Sequence, residues 1–168
     1  MDALLSAAAS ALASGDPLRA LNCVALREDA PALALRGIAM AQLGDLPQAR
    51  KLLKRAARAF GPGHGLAHAR CVVAEAEIAL VSRDLGWPVK DLATARTVLD
   101  QLGDVLNAVH AGHLMARRAL LLGDLDEAER LLQGVDASSL PPLRQAAHEM
   151  IQGGIAQAAD TSPEVQLP

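Results

Sequence analysis

Aromatic side chains are almost missing from this chain: among 168 residues Phe60 and Trp87 stand alone, and there is no Tyr. Sheets draw on aromatic and β-branched residues, so a strand-built domain is excluded first. Cysteine is scarce too. Cys23 and Cys71 form no CxxC pair and are too few for a disulfide framework, which points to a reducing, cytoplasmic setting and to two small buried hydrophobes. The net charge of −3 supplies no field to draw the chain to nucleic acid or to an anionic membrane. No apolar run approaches the roughly 18 residues of a membrane span. The N-terminus carries Asp2 where a signal peptide needs a cation, and Ser6 and Ser10 break its apolar stretch, so it reads as a helix of the mature protein.

What is present is Ala and Leu, which dominate an apolar half of the chain and lead the helix-propensity ranking. An all-α fold is expected. The length suits a single domain able to bury about 70% of its unfolded surface, here placed at residues 1–160 with a disordered tail at 161–168.

A short phrase recurs along the chain: Gly15-Asp16-Pro17-Leu18-Arg19-Ala20, Gly44-Asp45-Leu46-Pro47-Gln48-Ala49 and Gly123-Asp124-Leu125-Asp126-Glu127-Ala128, with a stretched fourth copy at Leu85-Gly86 and Leu92-Ala93-Thr94-Ala95. Glycine ends a helix in the left-handed conformation, and Asp caps the start of the next one. The phrase is therefore a helix-to-helix turn. Pro17 falls at the first helical position, and Asp124 with Glu127 has the spacing of a capping box. The Ala that follows, together with Ala8, Gly37, Ala79 and Ala116 seven positions before each Gly, lets two backbones approach closely. Helices are expected near 2–13, 17–27, 31–43, 46–59, 65–84, 90–101, 104–122, 125–134 and 142–158.

Small residue at repeat position 8, Gly at 15 and Ala at 20 resemble the tetratricopeptide repeat over roughly residues 1–135, with the family's aromatic positions taken by Leu, Met, Ala or Val. The Gly-to-Gly spacings of 29, 42 and 37 scatter around the usual ~34. The resemblance implies antiparallel helix hairpins stacked as a short right-handed solenoid, closed by a C-terminal capping helix. The segments Ala32–Asp45 and Arg70–Leu80 are also similar to the N-terminal repeat region of bacterial helix-turn-helix transcriptional regulators, which implies a regulatory, partner-binding role.

Under that resemblance Gln42, Arg83, His110, His113 and Arg117 fall on positions facing the concave groove, and cations with imidazoles there suit a carboxylate-bearing partner. His64, His68 and Cys71 share one helix side at i, i+4 and i+7, a spacing that zinc accepts. They lack a fourth ligand and the Glu of HExxH, so no metal and no cofactor are assigned. Arg50, Lys51, Lys54, Arg55 and Arg58 read as a solvated helix face. Glu75 and Glu77 sit two apart and point to different sides. No catalytic motif is found, and an enzyme is not expected. The expected function is a module binding a protein or peptide in its groove. The rivals are a homodimeric assembly domain and a sensor of a small anion.

Overall fold

A computed structural model of the chain describes residues 2–61 and 64–161. It is all-helical among those residues. The helices are α1 (Ala3–Ala13), α2 (Pro17–Val24), α3 (Ala30–Gln42), α4 (Leu46–Phe60), α5 (Gly65–Val81), α6 (Val89–Gln101), α7 (Val105–Leu121), α8 (Leu125–Leu132) and α9 (Pro142–Thr161), with a 3-10 turn at Ala137–Ser139 before α9. The expected tail falls on residues 162–168, outside the described residues, while Thr161 closes α9.

Five turns share one geometry. At each, the Asp N–H reaches back to a carbonyl in the last turn of the preceding helix: Asp16 to Ala11, Asp45 to Met40, Asp84 to Ala79, Asp104 to Leu99 and Asp124 to Ala119. The N–H before it bonds one residue later in the same helix end, which is the Schellman closure of a helix C-terminus. In four of the five, the same Asp then caps the next helix by accepting from the N–H three residues on, at Arg19, Gln48, Asn107 and Glu127. One Asp thus terminates one helix and starts another, which is why the connections are so short.

Two expectations change here. The left-handed residue between α5 and α6 is Arg83, at φ 56°, not Gly86, so Gly86 belongs to the insertion that follows the turn. A further copy of the phrase, Gly103-Asp104-Val105-Leu106-Asn107-Ala108, joins α6 to α7. The α5–α6, α6–α7 and α7–α8 turns therefore fall 20 residues apart at positions 83, 103 and 123. The capping box is only half formed, because Glu127 accepts from Nε and Nη2 of Arg130 rather than returning to Asp124.

Each helix packs on the next in the chain, and the odd-numbered helices also pack on one another: α1 on α3, α3 on α5, α5 on α7 and α7 on α9. The core follows the same order. Its clusters span α1–α3, α3–α5, α5–α7 and α7–α9 in turn, each joining two odd helices across the even one between them. The small positions before and after the turns are buried as expected, among them Ala8, Ala79, Ala116, Ala20, Ala49 and Ala128. At Gly37 an added Cβ would lie 2.8 Å from Cγ of Leu53 and 3.2 Å from the Ala49 carbonyl oxygen, so α3 and α4 meet at a distance only glycine allows.

Candidate functional site

The five residues expected to share a groove are distributed over several places. Gln42 donates to the Leu12 carbonyl at 3.3 Å and stitches α3 to the end of α1. Arg83 forms the α5–α6 turn. His110 and His113 do lie together on α7, but both are buried, because α9 packs over them. Arg117 is exposed on the same helix and acts on Glu77 only through its charge.

Beneath α9 the polar groups form two connected units. A guanidinium can only donate, so Arg144 of α9 donates to Nδ1 of His110 at 2.5 Å, and His110 carries its proton on Nε2, which meets Oε2 of Glu77 on α5 at 3.1 Å. That bond from His110, with the positive charges of Arg144 and Arg117, holds the Glu77 carboxyl below its ordinary range. Beside it, Nε2 of His113 lies 3.1 Å from Nδ1 of His148 on α9, both rings 2% exposed. Burial first, then the neighbouring His148, His110, Arg144 and Arg96, pushes His113 down to about 4. Its Nδ1 is buried with no partner among the described residues. This arrangement docks one helix on another and leaves no open groove there.

The His64, His68 and Cys71 set does not converge on a point. His64 is exposed and its Nδ1–H donates to the Phe60 carbonyl at 2.8 Å. His68 is exposed, while Cys71 is buried in the α3–α5 core, where burial and then the Glu75 charge push its thiol up to about 11. A thiol held protonated is a poor metal ligand. Cys23, expected to be buried, is half-buried.

The open feature of the molecule lies on the other side, among the even-numbered helices. α4 and α6 both pack on α5 but not on each other, which leaves a cleft of about 800 Å³ between them with α5 as its floor. Ala49, Leu52, Leu53 and Ala56 point into the core, and this turns the next stripe of α4, Arg50, Lys54 and Arg58, along one wall. The floor is mostly apolar, with Ala69, Val72 and Ala76, and Leu92, Ala95 and Val98 form the opposite wall. Trp87, carried by the insertion after Asp84, closes one end.

Its charges are unevenly satisfied. Arg50 is held by Asp84 at 2.6 Å and by Glu75 at 3.5 Å, and Lys54 reaches Glu75 at 3.4 Å. The Arg50 bond keeps the Asp84 carboxyl below its ordinary range. Arg58 and His68, at the other end, form no ion pair among the described residues. Trp87 is 5% exposed, its ring lies under Arg118 at 5.7 Å, and its indole N–H meets no acceptor among the described residues.

The basic stripe is solvent-exposed at Lys51, Lys54, Arg55 and Arg58, as expected, and its Arg50, Lys54 and Arg58 edge also lines the cleft, which was not foreseen. The signal that could have found it is the insertion itself, since a Trp in a chain nearly free of aromatics is costly to bury without a use for its N–H. Comparison with protein-family models, with curated proteins and with solved structures returns no match.

Proposed function

We propose that this chain is a non-catalytic binding module that holds a segment of a partner protein in the cleft between α4 and α6. The observation that carries the reading is the cleft of about 800 Å³, with a mostly apolar floor and with Arg58 on its α4 wall forming no ion pair among the described residues. Apolar surface with a few convergent polar groups is what a ligand site requires. The likeness of the Gly-Asp turns to tetratricopeptide repeats supports it, because stacked hairpins of that kind serve as scaffolds for partner segments. A short solenoid in a reducing, cytoplasmic setting is the corresponding whole, with both cysteines free.

A photo-reactive residue at Thr94, exposed on the cleft wall, tests this in cells that make the chain, against the same residue at exposed Gln152 on α9. A discrete adduct at Thr94 that is absent at Gln152 is expected. No adduct, or the same adducts at both positions, would overturn the reading.

A second reading is favoured by α9, where Leu143 and Met150, seven residues apart on one helix face, are 81% and 78% exposed. Two copies could bury that face against each other as a homodimer. Light scattering over a range of concentrations decides it, since a mass that stays monomeric throughout excludes the dimer.

A further inference from the structure

Among the charged groups that line the cleft, Arg58 on the α4 wall and Asp91 on the α6 wall form no ion pair among the described residues, so the two walls differ in sign. Arg58 offers a guanidinium and His68 a ring N–H, and Trp87 at the far end has a buried indole N–H without an acceptor. Lys54 adds a cation whose one ion pair among the described residues is the 3.4 Å contact to Glu75. Along the α4 wall the deficit is one of acceptors, and carboxylates supply acceptors together with the negative charge that this wall complements, while Asp91 repels them from the α6 wall. Between the two walls the floor is apolar apart from Glu75 and His68.

The shape adds a second constraint. From Gly65 to Ala76 the floor follows α5 over twelve residues, about 17 Å at the rise of an α-helix. Both walls are helices that pack on the floor but not on each other. A small molecule with one carboxylate would answer one donor and leave most of that length empty. Lys54 and Arg58 stand four residues apart on α4, so a helix lying alongside would present acids at the same interval, while its apolar stripe met Val72, Leu92 and Val98.

Resting on the reading of the cleft as a partner site, we infer that its occupant is an acidic amphipathic helix of a partner protein, with carboxylates along one edge of its apolar face. Charge complementarity along the α4 wall selects it over a basic or neutral helix, which would leave Arg58 facing apolar surface or another cation.

Trp87 is the only tryptophan in the chain and lines the cleft, so binding can be read from its emission. The probe is a Trp-free peptide of about 16 residues, long enough to form helix on contact, with Leu at i, i+3, i+4 and i+7 and Glu along one edge at four-residue intervals. A saturable change in Trp87 emission is expected. Affinity should fall with added salt and weaken by about tenfold in Lys54→Glu/Arg58→Glu, both exposed positions. Lys54→Gln/Arg58→Gln should lie between, and unchanged far-UV circular dichroism would confirm that the variants fold.

Three controls give the opposing outcomes. A peptide with Lys in place of every Glu, or one with the same residues shuffled so that no apolar stripe remains, would overturn the inference by binding as well as the probe. A straight-chain alkyl carboxylate that saturates the signal when the peptide does not would overturn it in favour of a small ligand. No saturable change with the acidic peptide, while Thr94 still gives its specific adduct, would sink the acidic helix and leave the cleft as a partner site. Loss of both would remove the cleft reading itself.

Discussion

Arg83 occupies, at φ 56°, the place that glycine fills in the four sister turns. A side chain in the left-handed region costs about 1–2 kcal/mol per residue, and no hydrogen bond or ion pair of the Arg83 side chain offsets it among the described residues. Arg83→Gly should therefore raise stability by about 0.5–1 kcal/mol, after the greater freedom of glycine in the unfolded chain is subtracted. Urea denaturation reads it, and a loss of stability would mean that the guanidinium has an undetected role. Gly44→Ala is the converse: at φ 85° with open space around an added Cβ, it should cost about 1–2 kcal/mol from the backbone alone. Ala49 is fully buried, and its carbonyl lies against the backbone of Gly37, so Ala49→Leu should overpack the hairpin and cost about 1–3 kcal/mol. Wild-type melting would contradict the register. Glycine at three turns, Gly15, Gly44 and Gly123, was legible because its residue type states its conformation, while the Gly103 turn was passed over. Arg83 was illegible, since nothing in an arginine announces a positive φ, and the nearest glycine drew the assignment three residues too far.

At the scale of elements, α9 is the least anchored. Of its twenty residues only His148 and Ile151 are buried, with Ile155 packed beside them, and its polar links to α7 are the Arg144–His110–Glu77 chain and the His113–His148 pair. Because His113 sits at about 4 when folded against an ordinary 6.5, the unfolded chain holds the extra proton between those values. Stability is then complete above about pH 6.5, falls as pH drops towards 4, and levels off below that, by an amount on the order of 3 kcal/mol. After burial, the groups that oppose protonation of the ring are His148 and Arg144 from α9, His110 from α7 and Arg96 from α6. The depressed Glu77 loses its own contribution in the same direction, at lower pH, below the ordinary glutamate value of 4.5. Urea midpoints at pH 7.5 and 4.5 should differ for the wild type. They should differ less for His113→Gln, which keeps a polar partner for His148 but does not titrate. Equal slopes in the two proteins would place the acid sensitivity elsewhere. Hydrogen exchange at acidic pH should release the amides of α9 before those of α7. Helix α9 was anticipated as a cap. That it covers His110 and His113 was not, because both carry the polar type of an open groove and only their neighbours show them to be interior.

For the whole molecule, a core built as four clusters in series means that each part is supported mainly by its neighbours, and such arrays lose cooperativity along their length. Trp87 reports on the α5–α7 cluster, which is the largest of the four, while α1 and α2 lean on a separate cluster of mostly Ala residues. Far-UV circular dichroism should therefore begin to fall at lower denaturant than Trp87 fluorescence and show the broader transition. Coincident curves would show that the stack unfolds as one unit.

The helical class, the bounds of the helices to within a few residues and the positions that must stay small were all determined by the order of residues, because helix propensity and Gly-Asp turn chemistry act over a few neighbours along the chain. Charge and burial were decided only by the tertiary structure. Whether Arg50, Lys54 and Arg58 are idle in solvent or line a cleft depends on the gap between α4 and α6, and that gap is set by how two helices far apart in sequence seat on a third. The same holds for His110 and His113, whose surroundings come from a helix that starts some thirty residues further along the chain. A side chain's type is local, but its partners are not.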